Sequence, residues 1–303
     1  MMCRTLLLFL ILGGRTTLAG AQSSDTYTQH SDIQYGNGDG KPLLMDIFQP
    51  KRPVRRPTPA ILWIHGGGWE RGDKGGNSGA KLFAAGGFIG ASLTYRLSGD
   101  SKFPAAIEDC KCAIRFLRAN AVKYGIDPER IAVAGASAGG HLALLVATAD
   151  QTAGLDGSGG WPGVSSRVSA AAAWYGPTDF TVGEKAFERG TGRAPAKFLG
   201  GTQTDRPDVY RRASPIAHVS ADDPPILLVH GEGDQIVPFS QAERMRNACQ
   251  RAGVQVELIK VEKSGHDFEP TSKEPVKPSV EEIRSRTLRF FKRHLLAETN
   301  PKK

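Results

Sequence analysis

Cysteine is scarce in this chain: there are four in 303 residues, and one of them, Cys3, lies near the N-terminus. The other three, Cys110, Cys112 and Cys249, permit at most one internal disulfide in the body of the chain, which excludes a small cross-linked scaffold. Cys110 and Cys112 are two apart in a stretch with helical spacing, where side chains diverge around the axis, so they are not expected to bond to each other. They read as small half-buried packing residues, because no CxxC or His-rich spacing marks a metal or redox site. Also missing is any apolar run of the ~20 residues that a bilayer-crossing helix requires. There is no helix-turn-helix, zinc-finger or RNA-binding motif, and the basic residues are scattered rather than gathered on one stripe, so no nucleic-acid partner is expected. Low-complexity tracts and internal repeats are likewise absent.

With 40% hydrophobic and 23% charged residues, the composition is that of a globular chain rather than a disordered or coiled-coil one. Its length suits one large core. The first residues carry Arg4, an apolar run over 6–12 and the small residues Ala19-Gly20-Ala21, the pattern of a cleavable export signal. Residues 1–21 are therefore expected to leave, and 22–303 to form a single domain. The formal net charge of +8 falls to +6 with the loss of Arg4 and Arg15, a modest basicity. Nothing in the sequence fixes the oligomeric state.

Residues 33–36 and 43–48 flank the turn-rich Asn37-Gly38-Asp39-Gly40 and read as an edge hairpin. Beyond a Pro- and Arg-rich connector, apolar runs at 60–64, 88–93, 131–134, 168–174, 226–229 and 254–261 alternate with helical patterns. That rhythm predicts an α/β fold: a mostly parallel twisted sheet of about eight strands with helices on both faces. The helix from about Pro104 to Ala121 should bury Ile107, Cys110, Ile114 and Leu117 and leave Glu108, Lys111, Arg115 and Arg118 off that face. A last helix over 280–296 should dock as well. The Gly-rich stretch 154–163 and the insertion 179–212 break the rhythm and are expected to shape a pocket, the second as a small lid; for the first, a solvated surface excursion is an equal alternative.

Gly135-Ala136-Ser137-Ala138-Gly139 fits G-x-S-x-G, between a predicted strand and a predicted helix. A nucleophilic serine on so sharp a turn needs small neighbours, and the helix N-terminus aims amides at a developing oxyanion. His65-Gly66-Gly67-Gly68-Trp69 follows another strand and resembles the HGGG oxyanion motif; Gly67, Gly68 and the N–H of Ala138 are the expected donors, with Trp69 as an alternative to Gly67. The remaining partners should follow in the order acid, then histidine, each after a strand. Asp234 and His266 meet that rule, with Glu232 and Asp267 as rival acids. His65, His141, His218 and His230 fail on position and are expected to hold structural hydrogen bonds. Trp69, Tyr95, Trp174 and Tyr175 are aromatics near strand ends that can line a pocket or pack in the core. Arg71-Gly72-Asp73 spells an adhesion tripeptide but falls in a loop beside the site.

With these motifs in view, the chain resembles the bacterial esterase branch of the α/β-hydrolases, in particular the bifunctional acetyl/feruloyl xylan esterase type and its relatives near the hormone-sensitive-lipase group. The blocks 65–74, 95–97, 103–117, 124–141, 175–180, 230–238 and 264–268 carry the resemblance. It implies acyl transfer from an ester to water through Ser137, His266 and Asp234, with no metal or organic cofactor and a small or absent cap. The implied substrate is a small-molecule or polymer-attached ester. A prolyl-oligopeptidase-type peptidase shares the residue order but usually carries an accessory domain, and a silent binding module usually lacks the nucleophile or the histidine.

Overall fold

The computed structural model describes residues 21–76, 78–182 and 194–296. Of the expected leader, only Ala21 falls within them.

Nine strands form one sheet: β1 (Ala21–Ser23), β2 (Tyr27–Gly38), β3 (Lys41–Pro50), β4 (Thr58–Ile64), β5 (Ile89–Leu93), β6 (Ile126–Ala136), β7 (Ala171–Trp174), β8 (Ile226–Gly231) and β9 (Val256–Val261). Their spatial order is β1-β2-β3-β5-β4-β6-β7-β8-β9. The first three pair antiparallel, and everything from β5 through β9 is parallel. This is one strand more than the sequence suggests, because β1 carries no apolar signature and exists by pairing with Thr28–His30 of β2. In β4, every residue of Thr-Pro-Ala-Ile-Leu-Trp-Ile is buried, as expected of a central parallel strand covered on both faces.

The helices are α1 (Ser78–Ala85), α2 (Ala105–Ala119), α3 (Ala121–Tyr124), α4 (Ala138–Thr148), α5 (Ala194–Leu199), α6 (Pro207–Arg212), α7 (Ser240–Ala252) and α8 (Val280–Leu296). Their apolar faces divide the core between the two sides of the sheet. Ile107, Ile114, Leu142 and Leu145 pack on one side with Leu62 and Val133. Phe83, Ile283, Phe290 and Phe291 pack on the other with Ile61 and Leu227. The architecture is the α/β-hydrolase fold.

Helix α2 departs from the sequence expectation. Lys111 and Arg115 are buried as deeply as its apolar stripe, because the loop over 154–163 lies against them. Lys111 donates to the Ala149 carbonyl at 2.6 Å and to Asp156 at 3.2 Å, while Arg115 donates to the carbonyls of Asp156 and Gly160. Trp161 pins the same loop to β2 by donating to the Tyr35 carbonyl at 2.7 Å. The Gly-rich stretch is thus a clamp on α2 and not a wall of the pocket at Ser137.

Cys110, Cys112 and Cys249 are free and fully buried, the first two more deeply than expected. Residues 183–193 of the expected lid lie outside the described residues; the rest of that insertion supplies α5 and α6. No helix among the described residues is long and apolar enough to cross a membrane.

Candidate active site

Strand β6 leads straight into Ser137 and α4 leads straight out. The turn leaves Ser137 at φ 53°, ψ −121°, a backbone region that costs a non-glycine residue about 1–3 kcal/mol. Two hydrogen bonds hold it there: its N–H donates to the Trp174 carbonyl at 2.9 Å, and its carbonyl accepts from His141 N–H at 3.0 Å. The flanking glycines are required by close approach. A Cβ on Gly135 would stand 2.3 Å from the Gly139 oxygen, and one on Gly139 would stand 2.1 Å from the Ile64 oxygen of β4.

The loop after β4 reaches the same point. Gly67, Gly68 and Trp69 all have positive φ, 107°, 62° and 60°. The Gly67 carbonyl is turned away, accepting from Glu70 and Arg71. The N–H groups of Gly67, Gly68 and Trp69 donate to no acceptor among the described residues and are free for an oxyanion, beside the first amide of α4 at Ala138. Among these residues only Gly68, Trp69 and Ala138 line the cavity at Ser137.

Asp234 follows β8 and His266 follows β9, and the structure brings both to Ser137. His266 Nε2 lies 2.9 Å from Ser137 Oγ, and its Nδ1 lies 2.8 Å from Asp234 Oδ2. The other oxygen, Oδ1, accepts the backbone N–H groups of Ile236 and Val237 at 2.8 and 2.9 Å. The Asp234 side chain is wholly buried. Burial pushes its pKa up, but hydrogen bonds from His230, His266 and Val237 outweigh that and hold it well below the usual carboxylate range. The rival acids are elsewhere. Glu232 accepts from Lys260 Nζ and the Lys263 backbone at the surface, and Asp267 faces Tyr175.

Of the aromatic candidates, Tyr175 is brought to the site: its ring meets the His266 ring edge-on at 4.8 Å. Trp69 turns its indole inward, stacked on Phe198 at 4.6 Å and donating to His141 Nδ1 at 3.2 Å. His141 in turn donates from Nε2 to the Ala213 carbonyl at 2.7 Å. Complete burial pushes the His141 pKa down to about 4, so this ring is a neutral strut between the loop after β4, α4 and the end of α6. Tyr95 is not at the cavity. It stacks on His65 at 4.2 Å and donates to the His65 carbonyl at 3.2 Å, bracing the oxyanion loop from behind. Trp174 packs in the core against Trp63 and Phe268.

Sequence reasoning misses the rest of the wall. Pro177, Ala194, Pro195, Ile236 and Val237 close, with Ser137, a cavity of about 20 Å³. None of these five belongs to a catalytic motif; Ala194 and Pro195 fall in the insertion expected to shape the pocket, and Ile236 and Val237 are neighbours of Asp234. No group of His, Cys, Asp and Glu side chains suited to a metal ion occurs among the described residues.

Known proteins resemble this chain in sequence and fold. The chain is 34% identical to Esterase LipQ of Mycobacterium tuberculosis over 74% of its own length and 53% of the relative's. It is 33% identical to Esterase LipC of the same organism, over 83% of its length and 63% of the relative's. It therefore spans only about half to under two thirds of these proteins. Among solved structures, a truncated carbohydrate esterase from gut microbiota superposes with a TM-score of 0.79 at 27% identity, covering 91% of this chain and all of that one. The bifunctional GH43-CE protein of Bacteroides eggerthii gives 0.74 at 32% identity, covering 88% of this chain and 38% of that one. The BD-FAE family model matches residues 45–249, which include Ser137 and Asp234. The chain belongs to the BD-FAE family.

Proposed function

We propose that this protein is an exported serine carboxylic-ester hydrolase that works through an acyl-enzyme on Ser137 and prefers the smallest acyl groups, acetyl first. The observation that carries the reading is the unbroken hydrogen-bond chain from Ser137 Oγ through His266 to the buried Asp234, with unpaired amides beside it. Ser137 attacks the ester carbonyl as His266 Nε2 takes its proton. Asp234 keeps the imidazole aligned and stabilises its cationic form. The amides of Gly68 and Ala138, with Gly67 or Trp69, receive the oxyanion; each such donor is worth roughly 10²-fold to 10³-fold in rate. His266 returns the proton to the leaving alcohol, then activates water to release the acid.

The acyl preference rests on volume. The described walls leave a space of about 20 Å³ at Ser137, which favours a methyl over a feruloyl ring. Its walls of proline, alanine, isoleucine and valine suit a methyl rather than a polar group. The carbohydrate esterase neighbours favour a sugar hydroxyl as the alcohol. Export rests on the leader-like 1–21; cleavage after Ala21 would leave Gln22 and Ser23 to pair with Gln29 and Thr28.

Purified protein beginning at Gln22 and its Ser137→Ala variant, assayed on acetyl, butyryl, octanoyl and feruloyl esters, test the reading. Acetyl turnover that falls off steeply with chain length, and that vanishes in the variant, supports it. Equal activity of the two proteins, or no turnover of any ester, sinks it. A flat profile or one favouring feruloyl esters sinks the acyl preference alone.

A further inference from the structure

The catalytic carboxylate has a second histidine. His230 sits near the end of β8, buried, with its ring edge-on to Phe239. Its Nε2 is 2.8 Å from the Val237 carbonyl oxygen, which can only accept, so Nε2 bears the hydrogen. The same Nε2 stands 3.3 Å from Asp234 Oδ2, the oxygen that also receives His266. Oδ1 is already occupied by two backbone amides. Asp234 thus receives three N–H groups directly, and the single Nε2–H of His230, directed at Val237, stands close enough to Oδ2 to be shared with it.

We infer that His230 is a positioning residue for the triad: a donor that shares the charge of Asp234 and fixes the 234–237 loop. It works on both ends of that loop. One end is Asp234; the other is Val237, whose carbonyl it holds and whose side chain walls the cavity at Ser137. The titratable groups turned toward Asp234 are His230, His266 and, from the loop after β7, Tyr175. Removing the His230 donor concentrates negative charge on the oxygen facing His266. The imidazolium of His266 then becomes easier to form, and its pKa rises.

The inference rests on Asp234 being the triad acid, so its test reads His266 directly and not only through turnover. Ring resonances of His266 are titrated by NMR in the wild type, His230→Gln and His230→Phe, alongside kcat and KM on an acetyl ester. Glutamine places an amide N–H close to where His230 Nε2 stands, whereas phenylalanine fills the space without a donor. In His230→Phe the His266 pKa should rise by about half a unit or more, and kcat should fall roughly tenfold with KM little changed, while glutamine restores most of both. If His230→Phe does not fold, the glutamine variant should hold the wild-type pKa to within about 0.2 unit; a departure greater than that overturns the inference. An unchanged His266 pKa in His230→Phe, with lowered thermal stability only, leaves His230 a packing residue and also overturns it. A shifted pKa in a protein that cleaves no ester would sink the esterase reading and leave this one standing.

Discussion

The two insertions look alike in sequence, both rich in glycine, proline and polar residues, yet the fold uses them in opposite ways. The stretch 154–163 follows α4, which has carried the chain away from Ser137, and it ends as a clamp along α2. The insertion after Asp179 follows β7, whose end lies beside Ser137, and it delivers Ala194 and Pro195 to the cavity. What precedes a loop decides its work here. A loop leaving a parallel strand starts at the reactive end of the sheet, and one leaving the following helix starts at the other.

The largest effect should come from the site that the second insertion covers. Ser137→Ala should cost roughly 10⁴-fold or more in kcat, measured on an acetyl ester, with thermal stability kept or raised because the strained turn loses its hydroxyl but not its hydrogen bonds. Asp156→Ala tests the clamp. It leaves Lys111 buried with only a carbonyl for company and should lower stability by about 3 kcal/mol in urea denaturation, with the acyl-length profile untouched. A changed profile would erase the contrast between the two loops.

Acid pH separates them further. The His141 pKa is depressed to about 4 in the folded state, against an unfolded value of about 6.5, so the unfolded chain takes up a proton first as pH falls. The stability this neutral strut contributes is complete above about pH 6.5 and is lost as pH falls toward 4, by about 3 kcal/mol. His141→Gln should flatten the melting-temperature curve between those two pH values. The smallest effect concerns selectivity. Ile236→Ala opens the cavity and should improve butyryl over acetyl turnover by roughly 10-fold, since one methylene is worth about 1–3 kcal/mol.

Much of this was legible in the chain itself. Gly-x-Ser-x-Gly between a strand and a helix, and the order Ser137, Asp234, His266, follow from local chemistry and chain direction. The boundaries of α8 could be read from its apolar spacing. The failures share a cause. Lys111 and Arg115 are hydrophilic by type and buried only because a loop forty residues away lies on them. Tyr95 stands near a strand end as a pocket residue would, but its neighbours are His65 and the back of a loop. β1 has no pattern of its own and borrows its order from β2. His230 ends a strand four residues before the acid, a spacing that says nothing until the loop folds the carboxylate back onto it.

The placement of β9 has a consequence for how such a protein fails. It is the edge strand opposite β1, paired among the described strands with β8 alone, yet it is the one that carries His266 into the site. Ser137 is rooted between β6 and α4 in the middle of the sheet. Peeling of a single border strand would therefore take His266 away from an intact Ser137. Mild denaturant should silence turnover before the central strands surrender their amide protection to hydrogen exchange, making enzymatic activity a gauge of fraying at one edge rather than of global unfolding.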